Sequence, residues 1–142
     1  MDDPWTRARE YLDRRTAISM LATIDAQGQP EMAVLIAPRM TDDDRVAGGE
    51  EKHVSGNTFR NLRRNPRATL LVLDPVMDPR ARDGVRLKVE FLGAEEDGKE
   101  LGELSRWLES FAPGREVVRR LMFKVLAAEN FRPRTDGPVV MG

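Results

Sequence analysis

Apolar and polar positions fall along this chain in two different periods. Trp5, Ala8 and Leu12 recur at helical spacing, and the Asp3-Pro4 step before them offers a capping carboxylate and a residue suited to the first helical position. The spacing predicts an amphipathic N-terminal helix within residues 1–15, ending near Arg14, where cations suit the negative helix end. From Thr16 the period becomes two. In "TAISMLATID", Ile18, Met20, Ala22 and Ile24 share one face, and Ala17, Ser19, Leu21 and Thr23 the other. Both faces are apolar enough to predict cover on both. "DAQGQ" reads as a turn with Gly28 free to take positive φ, and "PEMAVLIA" reads as the return strand, giving a β-hairpin over Thr16–Ala37.

Beyond the hairpin, "PRMTDDD" reads as a polar loop, and Arg45–Gly49 as a short third strand. Its two glycines would let something approach the backbone closely. A helix is expected over Thr58–Asn65, stopped by Pro66, then a strand over Ala68–Leu73. Val85, Leu87, Val89 and Phe91 alternate with Arg86, Lys88 and Glu90, the signature of a half-buried strand over Val85–Gly93. Asp97 with Glu100 three residues on forms a capping box. The helix after it carries Leu101, Leu104, Trp107, Leu108 and Phe111 as a buried stripe. A last strand is expected within Leu121–Ala127, and residues 132–142 read as an irregular tail. Strands joined by short turns favour an antiparallel sheet, and closure into a small barrel is the simplest way to remove its edges. The expectation is one mainly β domain with flanking helices over residues 1–142.

Composition narrows the function classes. The 23 Lys and Arg are balanced by 24 Asp and Glu, against the clearly basic surface of a nucleic-acid binder. There is no cysteine and one histidine, His53, which reads as a solvated loop residue; thiolate or histidine metal clusters are excluded by count. The acidic groups "TDDD" and "AEEDGKE" match no calcium loop, so no metal site is expected. The charged start reads as no secretory signal, and apolar runs such as "ATLLVL" are too short to span a bilayer, so the expected location is cytoplasmic, away from membranes. No nucleophile elbow, phosphate-binding glycine loop or dinucleotide fingerprint is present.

One stretch remains, "VSGNTFRNLRRNPRATLLVL". Ser55, Gly56, Asn57 and Thr58 precede a helix that bears Arg60, Arg63 and Arg64. Such residues cap helices routinely, and they also hold anions at a helix start. Both readings stand on local sequence alone.

"LATIDAQGQP" resembles the first hairpin of the FMN-binding split-barrel superfamily, the pyridoxamine 5'-phosphate oxidase-like proteins, and "RNLRRNPRATLLV" resembles that family's helix before strand four. The resemblance runs in order and spacing from about Leu12 to Phe131. It implies a six-stranded antiparallel split β-barrel, a homodimer, and cofactors at the dimer interface. The usual cofactor is FMN; relatives use the deazaflavin coenzyme, FAD or haem. Carried onto this chain, the ring would meet Met32, Ala33, Val34 and Leu35, with Gly48 and Gly49 close by. The phosphate would meet Asn57 and Thr58, with Ser55 and Arg60 beside it. Asn57 and Thr58 stand where many members carry an Arg-Lys pair, and "EMAVLIA" lacks the basic residues of the oxidase itself, so pyridoxamine phosphate oxidation is not expected. The resemblance implies an FMN-dependent oxidoreductase of unknown substrate. Its alternatives are a non-catalytic flavin- or haem-binding module, a deazaflavin-dependent reductase, or a cofactor-free interaction fold. Hydride transfer to a flavin needs no protein acid or base, in keeping with the absence of a catalytic group in the sequence.

Overall fold

The structure, a computed structural model, describes residues 3–14, 16–52, 56–80 and 83–131. Its elements run α1 (Pro4–Leu12), β1 (Ile18–Ile24), β2 (Pro30–Val34), β3 (Ile36–Asp42), β4 (Arg45–Glu51), α2 (Thr58–Arg64), β5 (Arg67–Leu73), β6 (Gly84–Glu95), α3 (Lys99–Phe111) and β7 (Val117–Phe131). The strands make one antiparallel sheet of seven in the order β2-β1-β5-β6-β7-β4-β3. β2 and β3 are consecutive in the chain yet lie at opposite edges. Leu35 joins them, and its N–H donates to Ser19 O at 2.9 Å, so the sheet curls until its two ends meet. This is the expected mainly β split-barrel architecture with flanking helices.

Alternation decides what the curl encloses. Leu21 of β1, Leu70 and Val72 of β5, Val85, Leu87 and Val89 of β6, and Leu121, Phe123 and Val125 of β7 all point inward and are nearly inaccessible. α1 closes one end of this core with Ala8, Tyr11 and Leu12. As the sequence predicts, Asp3 caps it, accepting from Trp5 N at 3.3 Å. Buried Arg7 then fastens α1 to β6 and β7, donating to Gly84 O at 3.2 Å and Asn130 Oδ1 at 2.6 Å, and pairing with Asp83 at 2.5 Å.

Several expectations are corrected. "PRMTDDD" is not a loop: all but its last two residues belong to β3, which lies at the sheet edge, where polar side chains face solvent without cost. The hairpin's return strand is therefore broken at Leu35 rather than continuous to Ala37, and the count rises from six strands to seven. Ala37 takes φ 45°, an uncommon conformation for a residue with a side chain, at the point where the chain swings from one edge to the other. β7 is 15 residues long, beyond the expected Leu121–Ala127, and Arg119 and Arg120 at its start stand in register opposite Glu50 and Glu95. The α3 cap is Gly98, at φ 109° with no side-chain bond, so the expected Asp97 capping box does not form. Trp107, expected in the core, is 48% exposed: Leu101 and Leu108 define the docked line of α3, and Trp107 stands beside it.

Candidate functional site

Gly56, at φ 59°, and Asn57, at φ −97° and ψ 12°, lead into α2. A left-handed residue followed by a right-handed one turns successive amide hydrogens towards one point, a geometry that suits anions. The Asn57 side chain makes no cap bond and is exposed, as is Arg60 one turn on. Thr58 is buried. Ser55 and His53 lie outside the described residues. The start of α2 is held in place from below. Asn61, 1% exposed, donates from Nδ2 to Thr23 Oγ1 at 3.1 Å and to Glu31 Oε1 at 3.3 Å, and Leu62 enters the core.

This loop borders a cavity of about 410 Å³ whose far wall is β4 and β7. Glu50 and Glu51, both buried, line it. Each is matched by a guanidinium. Glu50 pairs with Arg119, which also reaches Glu96 at 3.1 Å and lies over the Phe59 ring at 4.2 Å. Glu51 takes two hydrogen bonds from Arg115, one of them Nε to Oε2 at 2.7 Å. Burial works to lower the Arg119 pKa, but its bonds to Glu50 and Glu96 outweigh it and the value rises. The bond to Glu51 likewise raises that of Arg115. With both carboxylates matched, Lys52 and Arg60 are the remaining cations of the lining; Lys52 lies 3.6 Å from Glu116, and no described residue pairs with Arg60.

On its other side Arg115 borders a second, larger cleft of about 760 Å³ between the start of β1, the β2–β3 bend and α3. Its walls include Ile18, Val34 and Trp107, all well exposed, and Arg39. The Glu51–Arg115 pair is thus the partition between a polar cavity and a mainly apolar cleft.

The sequence-predicted residues divide three ways. Met32 and Val34 project outward from β2 and are exposed, with Ala33 half-buried between them. The register sets Met20 opposite both Val34 and Leu71, and Ile18 opposite Leu73, so an apolar outer face crosses β2, β1 and β5 and ends at Arg86 and Lys88 of β6. Leu35 turns the opposite way, into the core, where its Cγ would stand 2.7 Å from a Cβ on Gly48. Gly49 is approached similarly by Val117 Cγ1, at 2.9 Å from such a Cβ. The close approach expected at the two glycines is therefore made by the chain's own side chains. Asn57, Thr58 and Arg60 form the third group, at the polar cavity. Glu50 and Arg119 are silent in the sequence apart from opposite charge in strands that pair in register, Arg115 stands before β7 and meets Glu51 only through the fold, and the segment of Arg39 reads as a loop.

The sequence pattern described as pyridoxamine 5'-phosphate oxidase matches residues 6–131. No curated protein matches the sequence. Among solved structures, an FMN-binding protein from Syntrophomonas wolfei subsp. wolfei is 19% identical, covers 92% of this chain and 88% of its own, and superposes with a TM-score of 0.74. A Clostridium acetobutylicum protein related to general stress protein 26, of the pyridoxinephosphate oxidase family, is 16% identical over 92% of this chain and 91% of its own, with a TM-score of 0.65. An F420 reductase is 18% identical over 84% of this chain and 94% of its own, with a TM-score of 0.62.

Proposed function

The chain belongs to the pyridoxamine 5'-phosphate oxidase family, and from that premise we propose that it is a homodimeric FMN-binding protein that works as an oxidoreductase. The observation that carries the reading is the two-part site. A polar cavity with exposed Asn57 and Arg60 lies beside an apolar cleft at Val34, with the Glu51–Arg115 pair between them. A planar ring bearing a phosphate ester has the same two-part character.

The donors suit a phosphate held mainly by neutral groups. The Gly56-Asn57 turn offers amide hydrogens, the Asn57 carboxamide is uncommitted to its helix, and Arg60 supplies a charge that no described residue neutralises. Glu50 and Glu51 lie in the same cavity, and their pairing with Arg119 and Arg115 keeps them from repelling an anion there. Met32, Ala33 and Val34 form the face on which the ring rests. Gly48 and Gly49 act at one remove, letting Leu35 and Val117 pack tightly and so fixing the β2–β3 bend beside that face. When bound, the flavin supplies hydride and electron transfer. The chain binds it and orients it.

The apolar outer face of β2, β1 and β5 supports the dimer: such a contiguous face on a soluble domain marks a contact surface. A deazaflavin coenzyme is the second reading, supported by the likeness in fold to an F420 reductase. An absorption spectrum of the purified protein, before and after adding FMN and desalting, tests the proposal. The expected result is a flavin spectrum retained at one per chain, on a species of twice 16.1 kDa in sedimentation. A protein that stays colourless after FMN is added refutes it.

A further inference from the structure

The cleft beside the β2–β3 bend holds a cation that the fold leaves half used. Arg39 Nη1 donates to Leu12 O at 2.5 Å and to Pro38 O at 2.8 Å, both neutral carbonyls. No described residue accepts from its Nε or Nη2, and no described carboxylate pairs with it. The other guanidinium groups of the cleft are matched: Arg14 lies 3.6 Å from Asp74, and Arg115 is bound to Glu51. Arg39 is therefore a positive charge, fixed in position by two backbone bonds, with one edge of its planar fork still open. Such an edge matches a carboxylate in a bidentate pair.

Apolar side chains make up much of its surroundings. Trp107 presents an exposed indole to the same cleft, and the two residues also wall an adjoining groove of about 230 Å³ with Ala37 and Leu104. Glu103, the one acid in that groove's lining, is 3.9 Å from Lys99. A concave apolar site with one oriented polar group is how small molecules are held and selected. We propose that the Arg39–Trp107 end of the cleft binds a planar organic carboxylate, with the carboxylate on the open edge of Arg39 and the ring against Trp107. Resting on the flavin reading, this names the substrate class of the same site.

The test uses calorimetry on the full-length protein, with and without saturating FMN, and two probes of one shape: naphthalene-2-carboxylate and naphthalene-2-carboxamide. The carboxylate is expected to bind at least about tenfold more tightly than the amide. Arg39→Gln should reduce that preference to within about twofold, while Arg39→Lys retains part of it. Trp107→Ala should weaken both probes about fivefold and leave the preference intact. Because Arg39 also ties down the end of α1, circular dichroism checks each variant; if Arg39→Gln unfolds, the probe pair on the wild type and on Arg39→Lys decides. Equal binding of the two probes by the wild type, or a preference that survives in folded Arg39→Gln, overturns the proposal. A carboxylate preference in a protein that takes up no FMN upholds the cleft and refutes the flavin reading. FMN uptake without the preference does the reverse.

Discussion

Asn61 on α2 donates to Thr23 on β1 at 3.1 Å, and both side chains are 1% exposed. One buried amide thus sets the helix that follows the candidate phosphate loop against the hairpin that carries the candidate ring face. Truncating it leaves Thr23 and Glu31 each short of a donor. Asn61→Ala should cost about 1–3 kcal/mol of stability, the range for an unsatisfied buried polar group. The measurement is the urea midpoint at unchanged slope.

Gly48 is the point where β4 lies against the β2–β3 bend. A Cβ there would meet Leu35 Cγ at 2.7 Å and Pro38 Cα at 3.2 Å, and the second contact is backbone that cannot rotate away. Gly48→Ala is expected to destabilise by about 1–3 kcal/mol, as overpacked cores do. The double variant Gly48→Ala with Leu35→Ala should lose less than the sum of the two single losses, read from chemical denaturation.

Trp107→Ala should cost under about 1 kcal/mol, far below the ~3–5 kcal/mol of a buried tryptophan, because the side chain is 48% exposed. Thermal unfolding of the variant checks this.

Asp74 gives the fold a defined acid limit. Burial raises its pKa, but bonds from the Thr16 hydroxyl and the Met77 and Val76 amides, with Arg14 nearby, outweigh that and hold it below its ordinary 3.8. The folded state therefore prefers the charged form. The stability this adds is complete above 3.8 and is lost as pH falls through the lower folded value. Asp74→Asn should be less stable than wild type at neutral pH, and its unfolding free energy should fall less steeply below pH 3.8. Denaturation curves across the acid range measure the slope.

The sequence discloses the parts of this fold that follow one period and little of what depends on partners. Alternation in β1 and in Val85–Phe91, and the Asp3 cap, are local signals and survive into the structure. β3 does not read as a strand because its polar residues face solvent at the sheet edge, and the N-terminal half of β7 does not because Arg119 and Arg120 are matched across the sheet, by Glu50 and Glu95. The break at Leu35 is equally silent, since an Ala37 at φ 45° is imposed by the curl of the sheet rather than by alanine's own preference. For the candidate site, the loop before α2 is legible from its small polar residues and its arginines. Arg39, Arg115 and the two buried glutamates are not, because only the fold brings them to cavities.

The central claim, that a flavin phosphate rests at Asn57 and Arg60, is tested most directly by titrating FMN and riboflavin into the wild type and Arg60→Gln. Riboflavin lacks the phosphate and is the internal control for the ring and for folding. FMN is expected to bind the wild type more tightly than riboflavin, and Arg60→Gln to weaken FMN by about 1.5–3 kcal/mol, the worth of a charged hydrogen bond, while riboflavin is unchanged. Equal affinity of the wild type for the two ligands, or equal losses for both in Arg60→Gln, would contradict it.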